Sequence, residues 1–153
     1  MSDVYIRRLR AVQAELNAVR QAMAYVDRNW QRQAISVEVE HLSRHDLTEA
    51  SRNAEQTYFI RLYAEFEGIL KDHLATNPHV RVPEKPKVDW LISRVLQLES
   101  ISLEQPLRLR LDLVRDYRNS IAHRTQQGAL FVSFSDALSA LNTFLAKLPD
   151  SLN

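Results

Sequence analysis

With 153 residues, 45% hydrophobic and 25% charged, the chain has the size and balance of one domain around one core. It contains no cysteine, which excludes disulfides, thiolate metal ligands and cysteine nucleophiles and suits a reducing cytoplasm, the expected location. The net charge of +1 argues against a protein that coats nucleic acid by bulk electrostatics. Only four of the 20 basic residues are Lys. The Arg bias follows from genomic base usage or from a local anion site, because the planar guanidinium fork suits bidentate phosphate contacts. The 2 Gly and 5 Pro leave few helix breakers. The N-terminal stretch lacks the apolar core of a secretory signal, and no apolar run is long enough for a bilayer, so no membrane partner is expected.

Tyr5, Leu9, Val12, Leu16, Val19, Met23, Val26 and Trp30 alternate in steps of four and three. That seam predicts a long first helix over roughly residues 3–33, with Arg7, Arg8, Arg10, Arg20, Arg28 and Arg32 on its other faces. Packing within a bundle accounts for the seam, and the length also allows pairing with a second subunit. Residues 34–46 lose the pattern, and "ISVEVEHL" alternates as a short extended piece or a loop. Asp46 and Glu49 have capping-box spacing, so a second helix is expected from there to about Ala75. Ala54, Tyr58, Leu62, Phe66, Ile69 and Leu70 mark its buried side.

"TNPHVRVPEKPKV" is a proline-containing loop. A third helix is predicted over about 88–99 through Leu91, Val95 and Leu98. Pro106 suits the first turn of a fourth, which continues through Leu107, Leu111, Val114 and Ile121. "QQGALFVSFS" breaks the period and reads as a loop with a short strand. Ser135 is placed to cap a last helix carrying Leu138, Leu141, Leu145 and Leu148, which Pro149 ends. The expected fold is an all-α bundle of about five helices in one domain, residues 1–153.

Most candidate chemistries fail on spacing. His41 and His45 are four apart, but their segment lacks helical pattern and no Glu follows the first His as a zinc protease needs. His73 and His79 flank a loop and are expected to be solvated. Glu65 and Glu67 lie two apart and face different sides of a helix, so they are not an acid pair. Two glycines supply neither a phosphate loop nor a hydrolase elbow.

The segment 108–124 differs. It holds Arg108, Arg110, Arg115, Arg118 and Arg124, partly offset by Asp112 and Asp116. Within "DYRNSIAHR", Arg118 can hold a phosphate and stabilise charge that builds on it, and a histidine such as His123 can act as general acid or base. Asn119 can orient a water, a phosphate oxygen or a base edge. Five helical positions turn about 500°, leaving His123 some 140° from Arg118. Either the helix ends between them, or they meet through a second copy of the segment. A plain helix end, with His123 and Arg124 on the last carbonyls, accounts for the same residues.

"YRNSIAHR" resembles the signature of the HEPN superfamily: an arginine, a polar residue that is often asparagine, a few residues including an apolar one, then histidine. "YFIRLYAEFEGILKDHL" is similar to the second long helix of prokaryotic HEPN domains, and the order of elements agrees. The resemblance covers roughly residues 47–148; the first helix fits by position only. Among subgroups it is most similar to bacterial defence-associated domains.

The resemblance implies an all-α bundle that forms a homodimer, and a metal-independent endoribonuclease site built from both protomers, with no cofactor. Arg118 would bind the scissile phosphate, and His123 would assist attack by the ribose 2′-hydroxyl, leaving a cyclic phosphate end. Asn119 would position substrate. Glu67 and Asp116 would support the site, and Arg115 and Arg124 would contact RNA phosphates. A two-fold axis near the motif would bring two Arg118 and two His123 into one cleft. A toxin or defence role would add a cognate antitoxin as partner. Alternatives are a catalytically inactive HEPN module that binds nucleotide or a partner protein, and a helical dimerisation protein using the first-helix seam. No aromatic-rich platform for unstacked bases is evident, and Tyr117, the only aromatic in the motif, serves equally as core.

Overall fold

Among the described residues helical periodicity is realised in five helices: α1 (Ser2–Gln31), α2 (Arg44–Ala75), α3 (Val88–Leu98), α4 (Gln105–Ala122) and α5 (Phe134–Leu145). The computed structural model describes residues 2–31, 43–123 and 129–149, and "ISVEVEHL" falls outside them. Among the described residues there is no strand, and the all-α bundle expected from the sequence is present. The short strand expected around "ALFVSF" is absent over residues 129–133, which run without regular structure into α5. No described helix is long and apolar enough to cross a membrane.

Two helix starts differ from the sequence reading by a few residues. Ser43, not Asp46, is the N-cap of α2, in extended backbone at φ −95° and ψ 160°. Asp46 is the reciprocal member of the box. Its N–H donates to Ser43 Oγ at 3.2 Å, and its carboxylate accepts the Ser43 backbone N–H at 2.8 Å. These bonds from the Ser43 N–H and hydroxyl hold the Asp46 carboxyl below its usual range. The same spacing opens α5: Ser133, rather than Ser135, accepts the Asp136 N–H at 3.1 Å.

α2 packs against each of the other four helices. Its buried face carries Phe59, Leu62, Tyr63, Phe66, Ile69, Leu70 and Leu74. Phe66 meets Phe144 of α5 edge to face, with centroids 5.6 Å apart at 80°. Leu91 and Val95 of α3 and Leu107, Leu111 and Val114 of α4 join the same cluster.

α1 lies antiparallel to α2. Arg8 pairs with Glu65 and Asp72, Glu15 with Arg61, and Arg20 with Glu55, so α2 numbers fall as α1 numbers rise. Exposed pairs of this kind contribute only about 0–1 kcal/mol each, so the ladder selects register while apolar burial supplies the attraction. Tyr5, Leu9, Val12 and Leu16 are buried, whereas Val19, Met23, Val26 and Trp30 are only half-buried. The seam is sealed over its first half alone.

His73 departs from its expected solvation. It is 1% exposed, and its Nε2 lies 2.8 Å from Glu99 Oε1 at the C-cap of α3. The Tyr5 ring stands edge-on, 6.0 Å away. Position 73 falls one turn beyond Ile69 and Leu70 on the same stripe, so the helix carries it inward. Ser100, at φ 52°, then turns the chain off α3, and the Ile101 N–H returns to the Leu96 carbonyl at 2.9 Å.

Two stability outcomes follow. A Cβ added at Gly68 meets Arg8 Nη2 at 3.5 Å, an ordinary contact. Gly68→Ala is therefore expected to gain about 0.5–1 kcal/mol from helix propensity, read as a melting-temperature rise of about 1–4 °C. An unchanged or lower midpoint would contradict this. The depressed Asp46 carboxyl contributes stability above its unfolded value near pH 4, and that contribution fades as pH falls through the folded value. Asp46→Ala should thus lower the urea midpoint at pH 7, with the gap to wild type closing in strong acid.

Candidate functional site

The motif occupies the last turns of α4, whose inner face is held to α2 by Leu107, Leu111 and Val114. Arg118 is half-buried there. Its guanidinium lies 5.7 Å from the centroid of the Tyr63 ring of α2, itself 3% exposed. Nη1 donates to Asn119 Oδ1 at 3.1 Å, while the buried Nε has no hydrogen-bond partner among the described residues. Arg118 makes no ion pair among the described residues. Its positive charge therefore rests on an aromatic face and one amide oxygen, with capacity left for an anion.

Arg115, one turn earlier, is the opposite case. Its guanidinium meets Asp89 of α3 at 2.8 Å, Asp112 at 3.0 Å and Asp116 at 3.1 Å. Asp89 foremost, and Asp116 after it, strengthen its hold on its proton. Asp116 is thus brought to Arg115, and the Arg115 charge is locally balanced. Glu67, half-buried, is one turn beyond Tyr63 on α2. Burial is the main force raising the Tyr63 hydroxyl pKa, and Glu67 adds to it while Arg115 and Arg118 oppose it. Glu67, Tyr63 and Arg118 consequently share one electrostatic neighbourhood. Tyr63 and Asp89 were not singled out from the sequence. The signal available for Tyr63 was its i, i+4 spacing from Glu67.

His123 is the C-cap of α4, at φ −98° and ψ 2°, with its N–H on the Asn119 carbonyl at 3.0 Å. Its ring is exposed and makes no hydrogen bond or ion pair among the described residues. The helix ends between the two motif residues, one of the two sequence-level alternatives. Arg118 turns inward against α2 and His123 stands outward, so one chain does not join them. Arg124 and His41 lie outside the described residues; His45 is exposed in the first turn of α2. Among the described residues no group of three or more His, Asp or Glu is placed to hold a metal ion.

Beside the same turns of α4 lies a groove of about 770 Å³. Asn53, Gln56 and Phe59 of α2 form one wall, Tyr117, Ser120 and Ile121 of α4 the other, and the chain around Phe131 the rim. Tyr117 is half-buried between two aromatic neighbours, edge-on to Phe59 at 4.9 Å and to Phe131 at 5.4 Å. An aromatic row absent from any one stretch of sequence is assembled from three segments.

The seat of Arg118 yields a stability outcome. Arg118→Met keeps the stem against Tyr63 but gives up a cation–π contact of about 0.5–2 kcal/mol. It also relieves a buried unpaired donor that costs about 1–3 kcal/mol. Thermal or urea unfolding of Arg118→Met is therefore expected within about 1 kcal/mol of wild type, or above it. A loss of several kcal/mol would assign Arg118 to the scaffold. Comparison with protein-family models, curated protein sequences and solved structures gives no match to the chain.

Proposed function

We propose that the protein is a HEPN-type, metal-independent endoribonuclease acting as a homodimer. The observation that carries the reading is the state of Arg118: a half-buried guanidinium without a carboxylate partner among the described residues, five positions before an exposed histidine, on a segment that reads "RNSIAH". A half-buried cation without an ion pair among the described residues, where the half-buried Arg8 and Arg115 are each neutralised, suits a negatively charged ligand.

In this reading Arg118 binds the scissile phosphate and stabilises the charge that grows on its oxygens. His123 takes the proton of the ribose 2′-hydroxyl as that oxygen attacks phosphorus. The bond to the 5′-oxygen breaks, leaving a 2′,3′-cyclic phosphate and a 5′-hydroxyl. The leaving oxygen needs a proton, and a second His123 across a two-fold axis supplies it. The divergence of Arg118 and His123 within one chain supports such a shared site. Asn119 orients Arg118 through its side-chain oxygen, and Glu67 acts on the same neighbourhood through Tyr63. A toxin or defence role with a cognate antitoxin belongs to this proposal.

The test is cleavage of end-labelled RNA by the full chain in the presence of a chelator, beside His123→Ala and Arg118→Ala. Each substitution is expected to reduce the rate by about 100-fold or more, with the folded state retained. Cyclic phosphate termini and a dimer in sedimentation complete the expected result. Cleavage by His123→Ala at the wild-type rate, or a monomer that cleaves fully, would overturn the shared-site mechanism.

A further inference from the structure

The groove beside the motif is larger than packing requires and is built from two kinds of group. Its volume, about 770 Å³, lies within the range of about 300–1,000 Å³ common to small-ligand sites. The first kind is aromatic. Phe59, Tyr117 and Phe131 form a continuous row, and Phe131 is 76% exposed. An aromatic ring held against a neighbour yet open to water offers a face for stacking.

The second kind is amide. Asn53 and Gln56 are three apart on α2 and both line the groove. Neither side chain makes a hydrogen bond among the described residues. Each offers a donor and an acceptor together, the complement of a base edge. Charge does not oppose a polyanion here. Glu55, which also lines the groove, is already paired with Arg20 at 2.6 Å, and Arg52 contributes a cation whose contact with Glu49 is long, at 3.5 Å.

We infer that this groove seats one unstacked base of single-stranded RNA, stacked on Phe131 and read at its edge by Asn53 and Gln56. The inference rests on the RNA reading above and adds to it a specificity site. Ser120 and Ile121 of the wall lie between Asn119 and His123, so the base and the phosphate it adjoins fall on one turn of α4. The Ser120 hydroxyl is committed to the Tyr117 carbonyl at 2.7 Å and leaves the amides as the readers. Burial, reinforced by Glu55 and opposed by Arg52, raises the Tyr117 hydroxyl pKa.

The experiment uses the full chain and uncleavable 2′-O-methyl hexanucleotides of each base, measured by fluorescence anisotropy. Phe131→Ala is expected to weaken binding about tenfold, the scale of a lost base–aromatic stack, with the melting temperature lowered only by the lost edge-on contact to Tyr117 because the ring is otherwise exposed. Phe131→Leu, which keeps the apolar contact and loses the π face, should weaken it as well. Gln56→Ala should flatten the ranking among the four bases. Photolysis of a 5-iodouridine hexamer should place adducts on Phe131 or Tyr117.

Unchanged affinity in both Phe131 variants, or adducts confined to residues away from the groove, would overturn the inference. The two readings separate cleanly. Cleavage of natural RNA with unaffected Phe131 variants removes the base seat and leaves the nuclease. Weakened binding in those variants without cleavage of any RNA upholds the seat and removes the nuclease. No binding of any hexamer by the wild-type chain overturns the base seat.

Discussion

Burial of one face of α2 is the constraint on which the rest of the structure depends. Phe59, Leu62, Tyr63, Phe66, Ile69, Leu70 and Leu74 leave water together, and all four other helices close over them. Non-directional apolar burial of this extent supplies the attraction but little information about orientation. Orientation comes from weaker, directional contacts at the edges. The ion-pair ladder aligns α1, the His73–Glu99 contact ties down the end of α3, and the edge-to-face meeting of Phe66 and Phe144 locates α5. The same helix presents Tyr63 beneath Arg118 and Asn53 and Gln56 along the groove. Core and candidate site are two uses of one element.

The charge distribution shows why net charge is a poor guide to this molecule. A sum of +1 conceals an ordered allocation. Arg8 and Arg20 of α1 and Arg61 of α2 are spent on carboxylates across the helix pair, and Arg115 is spent on three at once. Arg118 is left with an aromatic ring and an amide oxygen. A half-buried guanidinium kept in this state costs stability relative to a paired or apolar one. Recognition of phosphate is governed by such local imbalance, not by the overall sum.

Much of the fold was legible because helical period is written directly in the order of residues. The first half of the α1 seam, Leu62, Phe66, Ile69 and Leu70 of the α2 stripe and the Pro106 start of α4 follow from spacing, whereas Ala54 and Tyr58, expected on that stripe, are only half-buried and Phe59, Tyr63 and Leu74 are buried with it. The cap residues were misplaced by two or three positions. Both true caps belong to a serine followed three residues later by aspartate, and only extended backbone at Ser43 and Ser133 decides which serine it is. The strand expected near Phe131 rested on a break in helical period. A strand exists only with a hydrogen-bonded neighbour, and the bundle supplies none over residues 129–133. His73 was assigned to solvent from its nearness to a loop, whereas the helix phase that buries Ile69 and Leu70 carries it inward.

The sequence by itself determined an all-α bundle and its approximate helix boundaries, and it nominated Arg118, Asn119 and His123 as candidates, since periodicity and residue type are local properties. Tertiary structure alone decided which cations remain uncompensated, that Arg118 faces Tyr63 while His123 faces water, and that Phe59, Tyr117 and Phe131 form one row. Each of these depends on groups far apart in sequence being brought together by packing, and no local spacing encodes such a meeting.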